Sequence, residues 1–247
     1  MEKVTLDKIK SDKNIHELIA CANKSLEEMG YTEHGLRHVG YVSKTTSNIL
    51  RELGYDERTV ELGAIAGWMH DIGNAVNRKN HGPTGAVLAF ELLRRKKMAM
   101  KEIGLIIGAI GNHEEETGLP VSAISAALIL ADKSDAHRSR VRKREINSAD
   151  IHDRVNLSIK KNTLVVDAEK RVIRLVLYMD ATCAPMDYLK IYMSRMELSE
   201  KAADYLGCTF ELIINGLLIN RHTRSSTKIE LHGKEKKVSS YDDQNDE

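Results

Sequence analysis

Apolar residues recur at helical spacing through roughly the first 150 residues of the chain. Val39, Val42, Ile49, Leu50 and Leu53 fall on one helix face, and Gly54 is placed to end it. Thr59 to His70 is apolar nearly throughout. Its small residues Gly63, Ala64, Ala66 and Gly67 predict a buried helix that neighbours approach closely. Further helices are predicted from His81 to Leu93 and from Lys101 to His113. Another starts at Pro120 and runs through VSAISAALILADKSDAHRSR, with Pro at the helix entry. After about residue 150 the period changes. VNLSIKKNTLVVDAEKRVIRLVLYMD reads as two strands joined by a turn at Asp167 to Lys170. In the second, Leu175, Leu177 and Met179 alternate with Val176, Tyr178 and Asp180. Pro185 to Leu206 returns to helix, Gly207 closes it, and Cys208 to Ile214 is a short apolar strand.

The fold class that follows is mainly α: a multi-helix bundle with a small C-terminal α+β (β-β-α-β) module. The expected divisions are a helical domain over 1–150, the module over 151–220 and a polar, mobile tail over 221–247. RVIRLVLYM carries apolar residues on both strand faces, which predicts burial on both sides, against the helical core or a second copy of the chain. The module is therefore a candidate lid or homodimer interface.

Composition narrows the function. With 247 residues, 42% hydrophobic and 30% charged, the chain reads as an ordinary globular protein. No apolar run is long enough to span a bilayer, and the charged N-terminus lacks the apolar stretch of a signal peptide, so no membrane partner is expected. Cys21, Cys183 and Cys208 are scattered without CxxC spacing and read as reduced thiols of a cytoplasmic protein. A net charge of +1 and 4% aromatics give no field or stacking platform for a nucleic acid.

The chemistry concentrates at His70-Asp71, in the run GAIAGWMHDIGN at the end of the small-residue helix. An Asp beside a His there is costly to bury alone, and a divalent cation is the simplest partner that satisfies both. His38 lies upstream, and His81, His113 and Asp132 lie downstream, at predicted helix ends or inward faces. This H…HD…H…H…D pattern resembles the HD superfamily of metal-dependent phosphohydrolases. The resemblance covers about residues 33–140. GWMHDIGN looks like the HD signature and HGPTGA like the opening of the next helix. GNHEEETG and LILADKSDAHRSR resemble the segments carrying the following His and the closing Asp. The succession is similar to that of small HD hydrolases acting on nucleotide phosphates.

The resemblance implies one or two divalent ions, of Mn, Fe or Mg. His38, His70, Asp71 and Asp132 would form a first metal shell and His81 and His113 a second, with the two oxygens of Asp71 serving both. It further implies hydrolysis of a phosphate ester or anhydride, in a nucleotide or other small phosphorylated molecule, by metal-activated water. Two other readings stay open: an HD-type di-iron oxygenase, and a regulatory module that senses a nucleotide. One residue departs from the pattern: Asn74 stands where many family members carry Lys. Lys79 or Lys133 are candidate replacements for that phosphate contact, as is Arg138. Lys133 directly follows a ligand on the predicted helix and points about 100° away, whereas Arg138 lies close to two turns on and reaches back. Arg140 and Arg142 continue a basic run that also suits a solvated helix end. Asp71, Lys133 and Arg138 are thus the expected catalytic residues. His34 either orients His38 or adds a ligand. Glu33 points about a quarter turn away from it. Glu114, Glu115 and Glu116 read as an exposed acidic loop, with a general acid as the alternative. His16, His152, His222 and His232 read as ordinary core or surface residues.

Overall fold

The chain is described by a computed structural model over residues 3–142 and 151–220. The tail expected at 221–247, with His222 and His232, lies outside the described residues. Helix α1 (Leu6–Lys10) and α2 (Lys13–Glu28) lead into α3 (Leu36–Glu52) and α4 (Glu57–Met69). A short 3-10 turn, Ile72–Ala75, separates α4 from α5 (His81–Arg95), which is followed by α6 (Met100–Gly111) and α7 (Ala123–Ser134).

These elements follow local rules. Asp56 accepts from the amides of Arg58 and Thr59 and so caps α4. Gly54, at φ +82°, ends the α3 region in the left-handed conformation, as its position predicted. On α3 the buried positions His38, Val39, Val42, Ser43, Thr46, Ile49 and Leu50 form one stripe. Helix α7 is instead buried nearly all round, from Ile124 to Ala131, and touches α3, α4 and α6. It is the centre of the bundle. The small residues of α4 set its crossing with α3: a Cβ on Gly67 would stand 2.7 Å from the backbone Cα of Ser43. Ser43 Oγ seals the contact by donating to the carbonyl of Ala64, 2.7 Å away.

The C-terminal part begins with α8 (Ile151–Ser158), which runs straight into β1 (Ile159–Asp167). The hairpin to β2 (Val172–Met179) is antiparallel, α9 (Pro185–Tyr205) follows, and β3 (Thr209–Ile214) returns parallel to β2. Asn215 and Gly216, both at positive φ, turn β3 into the two-residue β4 (Leu217–Leu218). The sheet order is β1-β2-β3-β4. Ile173, Leu175, Leu177 and Met179 of β2 and Phe210, Leu212 and Ile214 of β3 are buried. Helix α9 packs on β2 and β3 and also on α7, which ties the module to the centre of the bundle.

The mainly α fold with an appended α+β module matches the sequence expectation, with local differences. Val155 to Ser158 is helix, not strand. Pro120 lies outside α7, whose entry is Ser122, the residue that accepts from the amide of Ser125. Helix α7 ends at Ser134; a separate 3-10 turn carries Arg138–Arg140. The second face of β2 is only partly covered within the chain: Val172, Arg174 and Val176 are half-buried and Tyr178 is exposed.

Candidate metal centre

Six predicted ligands converge from six successive elements. His38 comes from α3, His70 ends α4, Asp71 opens the 3-10 turn, His81 opens α5, His113 follows α6 and Asp132 lies in α7. The approach of α5 depends on Gly73, whose missing side chain would otherwise stand 2.0 Å from the carbonyl oxygen of His81. Glycine in the run HDIGN thus lets the turn holding Asp71 press against the start of the helix holding His81.

The six side chains sort into two groups around the two oxygens of Asp71. On one side, His38 Nε2 and His70 Nε2 are 3.2 Å apart and 3.5 and 3.4 Å from Asp71 Oδ2. Asp132 Oδ1 joins them, 3.4 Å from His38 and 3.7 Å from His70. On the other, His81 Nε2 and His113 Nε2 are 3.1 Å apart and 3.4 and 3.7 Å from Asp71 Oδ1. Donors sharing one ion at about 2.1 Å are spaced about 3.0–3.4 Å from one another.

The remaining imidazole nitrogens fix the chemistry of the cluster. His70 Nδ1 donates to the carbonyl of Gly67 at 2.9 Å, His81 Nδ1 to that of Arg78 at 2.9 Å and His113 Nδ1 to that of Ile110 at 2.6 Å. His38 Nδ1 donates to Asp135 Oδ2 at 2.6 Å. A ring that spends one proton on Nδ1 keeps Nε2 for a second proton or an ion, and each pair turns these two atoms toward each other. Asp71 Oδ2 is buried with no hydrogen-bond partner. An orphaned carboxylate oxygen among facing imidazole nitrogens needs positive charge, and the residues present fit a divalent cation.

No family model matches the chain. It is 33% identical over 119 residues to ribonuclease Y of Lawsonia intracellularis, covering 48% of this chain and 21% of that protein. It is 32% identical over 126 residues to ribonuclease Y of Mycoplasma mycoides, covering 51% and 28%. The chain thus spans about a quarter of the length of these relatives. An uncharacterized protein of Methanocaldococcus jannaschii is 24% identical over 163 residues, 57% of this chain and 62% of that one. Among solved structures, a predicted HD superfamily hydrolase from an uncultured Thermotogales bacterium overlaps 51% of this chain and 68% of its own, at 23% identity and TM-score 0.41. The residues of the H…HD…H…H…D pattern, far apart in the chain, here lie together in one cluster.

In its residue pattern the chain resembles the HD superfamily.

Electrostatics within the HD cluster are uneven. Burial works against both ligand carboxylates, yet His70 holds Asp71, and Lys133 with His38 and His70 holds Asp132, well below the usual range. Burial also opposes a charged His70, but Asp71 and Asp132 prevail and lift it to about 10. His113 goes the other way. Burial, with the charges of His81, His70 and Lys133, brings it to about 4 despite its contact with Asp71.

Residues missed by sequence reasoning surround the candidate ligands. Asp135 orients His38 and is itself gripped by both Arg37 nitrogens, at 3.2 and 2.7 Å. Arg140 donates to the Asp135 carbonyl at 2.7 Å and to His34 Nε2 at 2.8 Å. His34 therefore spends its free nitrogen on Arg140 and is not placed as a ligand. Arg78 Nη1 reaches within 3.5 Å of His81 Nε2 and 3.4 Å of Asn74 Oδ1. Asn74 itself donates to Asp71 Oδ1 at 2.9 Å.

Of the expected basic residues, Lys133 is at the site, only 4% exposed, with Nζ 2.7 Å from Asp132 Oδ2 and 3.0 Å from Glu115 Oε1. Its long stem overcomes the unfavourable helix position. Arg138 is not at the cluster: it is 42% exposed, donates to the Leu157 carbonyl and lies 3.9 Å from Asp180. The physical reason is the end of α7, since Asp135 at ψ 76° and His137 at φ −156° break the helix that would have carried it back. The acidic run is also not simply exposed. Glu114 is buried, accepts from the amide of Gly82 at 2.9 Å and contacts His81 Nδ1. Glu115 is ion-paired with Lys133 and Arg195, and Glu116 is exposed.

A cleft of about 510 Å³ opens beside the His81 side of the cluster. Tyr31, Arg78, Lys79 and His81 line it together with Glu114 to Glu116.

Proposed function

We propose that the protein is a metal-dependent phosphohydrolase acting on a nucleotide or another small phosphorylated molecule. The observation that carries this reading is the division of four imidazole nitrogens between the two oxygens of Asp71. Manganese, iron or magnesium suits a donor set of imidazole and carboxylate without thiolate. A divalent cation held there lowers the pKa of water and draws charge from a phosphoryl oxygen.

The chain's own residues supply the rest. Asp135, through His38, and the carbonyls behind His70, His81 and His113 aim each donor nitrogen into the cluster. Arg78 and Lys79 bring positive charge to the cleft wall next to His81, where a phosphate must enter. Arg78 thus takes over the contact for which Asn74 carries no charge. Its guanidinium lies 5.3 Å from the centre of the Tyr31 ring, whose apolar face lines the same cleft and suits a nucleobase.

The relatives named as ribonucleases raise RNA as a substrate. A small molecule fits this chain better: the net charge is +1, and the two cations of the cleft wall, Arg78 and Lys79, suit one phosphate group rather than a long run of them. The test is an anaerobically purified sample assayed for metal content, then screened against nucleotides, generic phosphate esters and an RNA oligonucleotide. Metal-dependent release of phosphate or a nucleotide from a small substrate is expected. Bound metal with cleavage of RNA alone would replace the substrate, and absence of bound metal would overturn the reading.

A further inference from the structure

Helix α9 of the C-terminal module places Arg195 against the segment that carries His113. Arg195 Nε lies 3.0 Å from Glu115 Oε1, and the same oxygen is 3.0 Å from Lys133 Nζ. Lys133 Nζ is in turn 2.7 Å from Asp132 Oδ2, whose partner oxygen Oδ1 faces His38 and His70. The guanidinium is itself fixed, 4.7 Å from the centre of the Tyr192 ring one turn earlier on α9. Two carboxylates and two cations therefore alternate in an unbroken line from the module to the metal ligands.

We propose that Arg195 is a positioning residue for the metal centre, acting through Glu115 and Lys133 on Asp132. The inference rests on the metal reading above. Lys133 sits between two carboxylates that compete for one ammonium. Arg195 balances the charge of Glu115 as an ion pair, although Glu115 Oε1 accepts no hydrogen bond, and this leaves Lys133 to hold Asp132 Oδ2 and so turn Oδ1 into the cluster. Without Arg195 the Glu115 carboxylate draws Lys133 toward itself, and Asp132 loses the contact that fixes its rotamer. The module is then part of the metal centre, not a separate appendage.

The test uses the full chain, stripped with a chelator and titrated with cobalt(II) by visible absorption, with circular dichroism to follow folding. Arg195→Met should weaken cobalt binding about ten-fold, the effect of losing an outer partner of a ligand. Arg195→Lys should stay near wild type. The double variant Glu115→Gln with Arg195→Met should regain wild-type affinity, because a neutral Gln no longer competes for Lys133. A merely structural Arg195 would not be rescued in this way. Arg195→Met binding like wild type, or a double variant as weak as the single one, overturns the proposal. If Arg195→Met does not fold, the double variant is compared with Glu115→Gln alone: equal affinity supports the proposal, and a ten-fold loss overturns it. A wild-type chain that binds no cobalt overturns the metal reading and this inference together, whereas wild-type binding with unchanged Arg195→Met overturns this inference alone.

Discussion

The two sides of Asp71 are built in different ways. The His38 side is set on α3 and α7, helices of the bundle core, and on the end of the buried α4. His38 and His70 are fully buried, and Asp135, held by Arg37 and Arg140, locks the His38 ring. The His81 side is set on a helix start and on a residue beyond a helix end, and its rings are held by carbonyls of the preceding turn. It also borders the cleft, where Arg78 comes within 3.5 Å of its nitrogen. One side is enclosed in the bundle core and the other lies open to the cleft. Only Asp71 belongs to both.

That shared residue gives the largest expected effect. Asp71→Ala removes the carboxylate that faces all four imidazole nitrogens, so metal content and hydrolysis should fall together to background. Elemental analysis of the purified variant beside wild type checks this. Full metal loading in Asp71→Ala would mean that the two sides are independent sites.

Single-ligand changes separate the sides. His38→Ala should strip the inner side and lower total metal severely, because it also leaves the Asp135 carboxylate buried without its imidazole partner. His81→Ala should lower the stoichiometry by about one ion while the inner side stays loaded, since His38, His70, Asp71 and Asp132 remain as four donors. Equal losses in the two variants, measured by elemental analysis at matched protein concentration, would erase the distinction.

Next in size is the cleft. Arg78→Met should reduce kcat/KM for a phosphorylated substrate by about ten-fold or more, the scale of losing one charge-assisted hydrogen bond, with metal content unchanged. Arg138→Met, made in parallel, should leave kinetics at wild type, because its guanidinium is engaged at the Leu157 carbonyl. Reversal of the two results would return the phosphate contact to the segment after α7.

The contrast between these arginines shows what the sequence can carry. The gathering of the six candidate ligands around Asp71 was legible because metal-binding types at helix ends stand out against small apolar neighbours. The sheet was legible from its period of two. Arg138 was misplaced because α7 was continued through a stretch whose apolar period stops at Ala136; the polar run Asp135 to Arg140 was the available sign of a break. Asp135 and Arg195 escaped because each acts across the fold, whereas Arg78, only three residues before His81, escaped because a single Arg in the polar run NRKN carries no pattern of its own. His38 and Asp135 are 97 residues apart, and nothing local marks such a pair. Val155 to Ser158 was read as strand because a short apolar alternation beside a real strand looks like its continuation.

The smallest effect follows the proton. In the metal-free protein the positive charge demanded by Asp71 and Asp132 falls on the inner side: burial opposes it, yet His38 is raised and His70 is lifted to about 10. His113, on the outer side, is brought to about 4 and stays neutral. A histidine raised on folding contributes stability that is complete below its unfolded value near 6.5 and is lost as pH climbs through its folded value. The chelated protein should therefore melt progressively lower, by several degrees, as pH rises from about 6.5 to about 10. A bound cation replaces that proton, and binding improves as the proton leaves. The metal-loaded protein should therefore lose less over the same range, and the gap between the two melting curves should widen with pH. Histidine-to-alanine changes divide the effect: His70→Ala should flatten the chelated curve, and His113→Ala should leave its slope between 6.5 and 10 intact, because His113 stays neutral throughout that range. Scanning calorimetry of the four samples across that range decides whether the proton, like the ion, belongs first to the inner side.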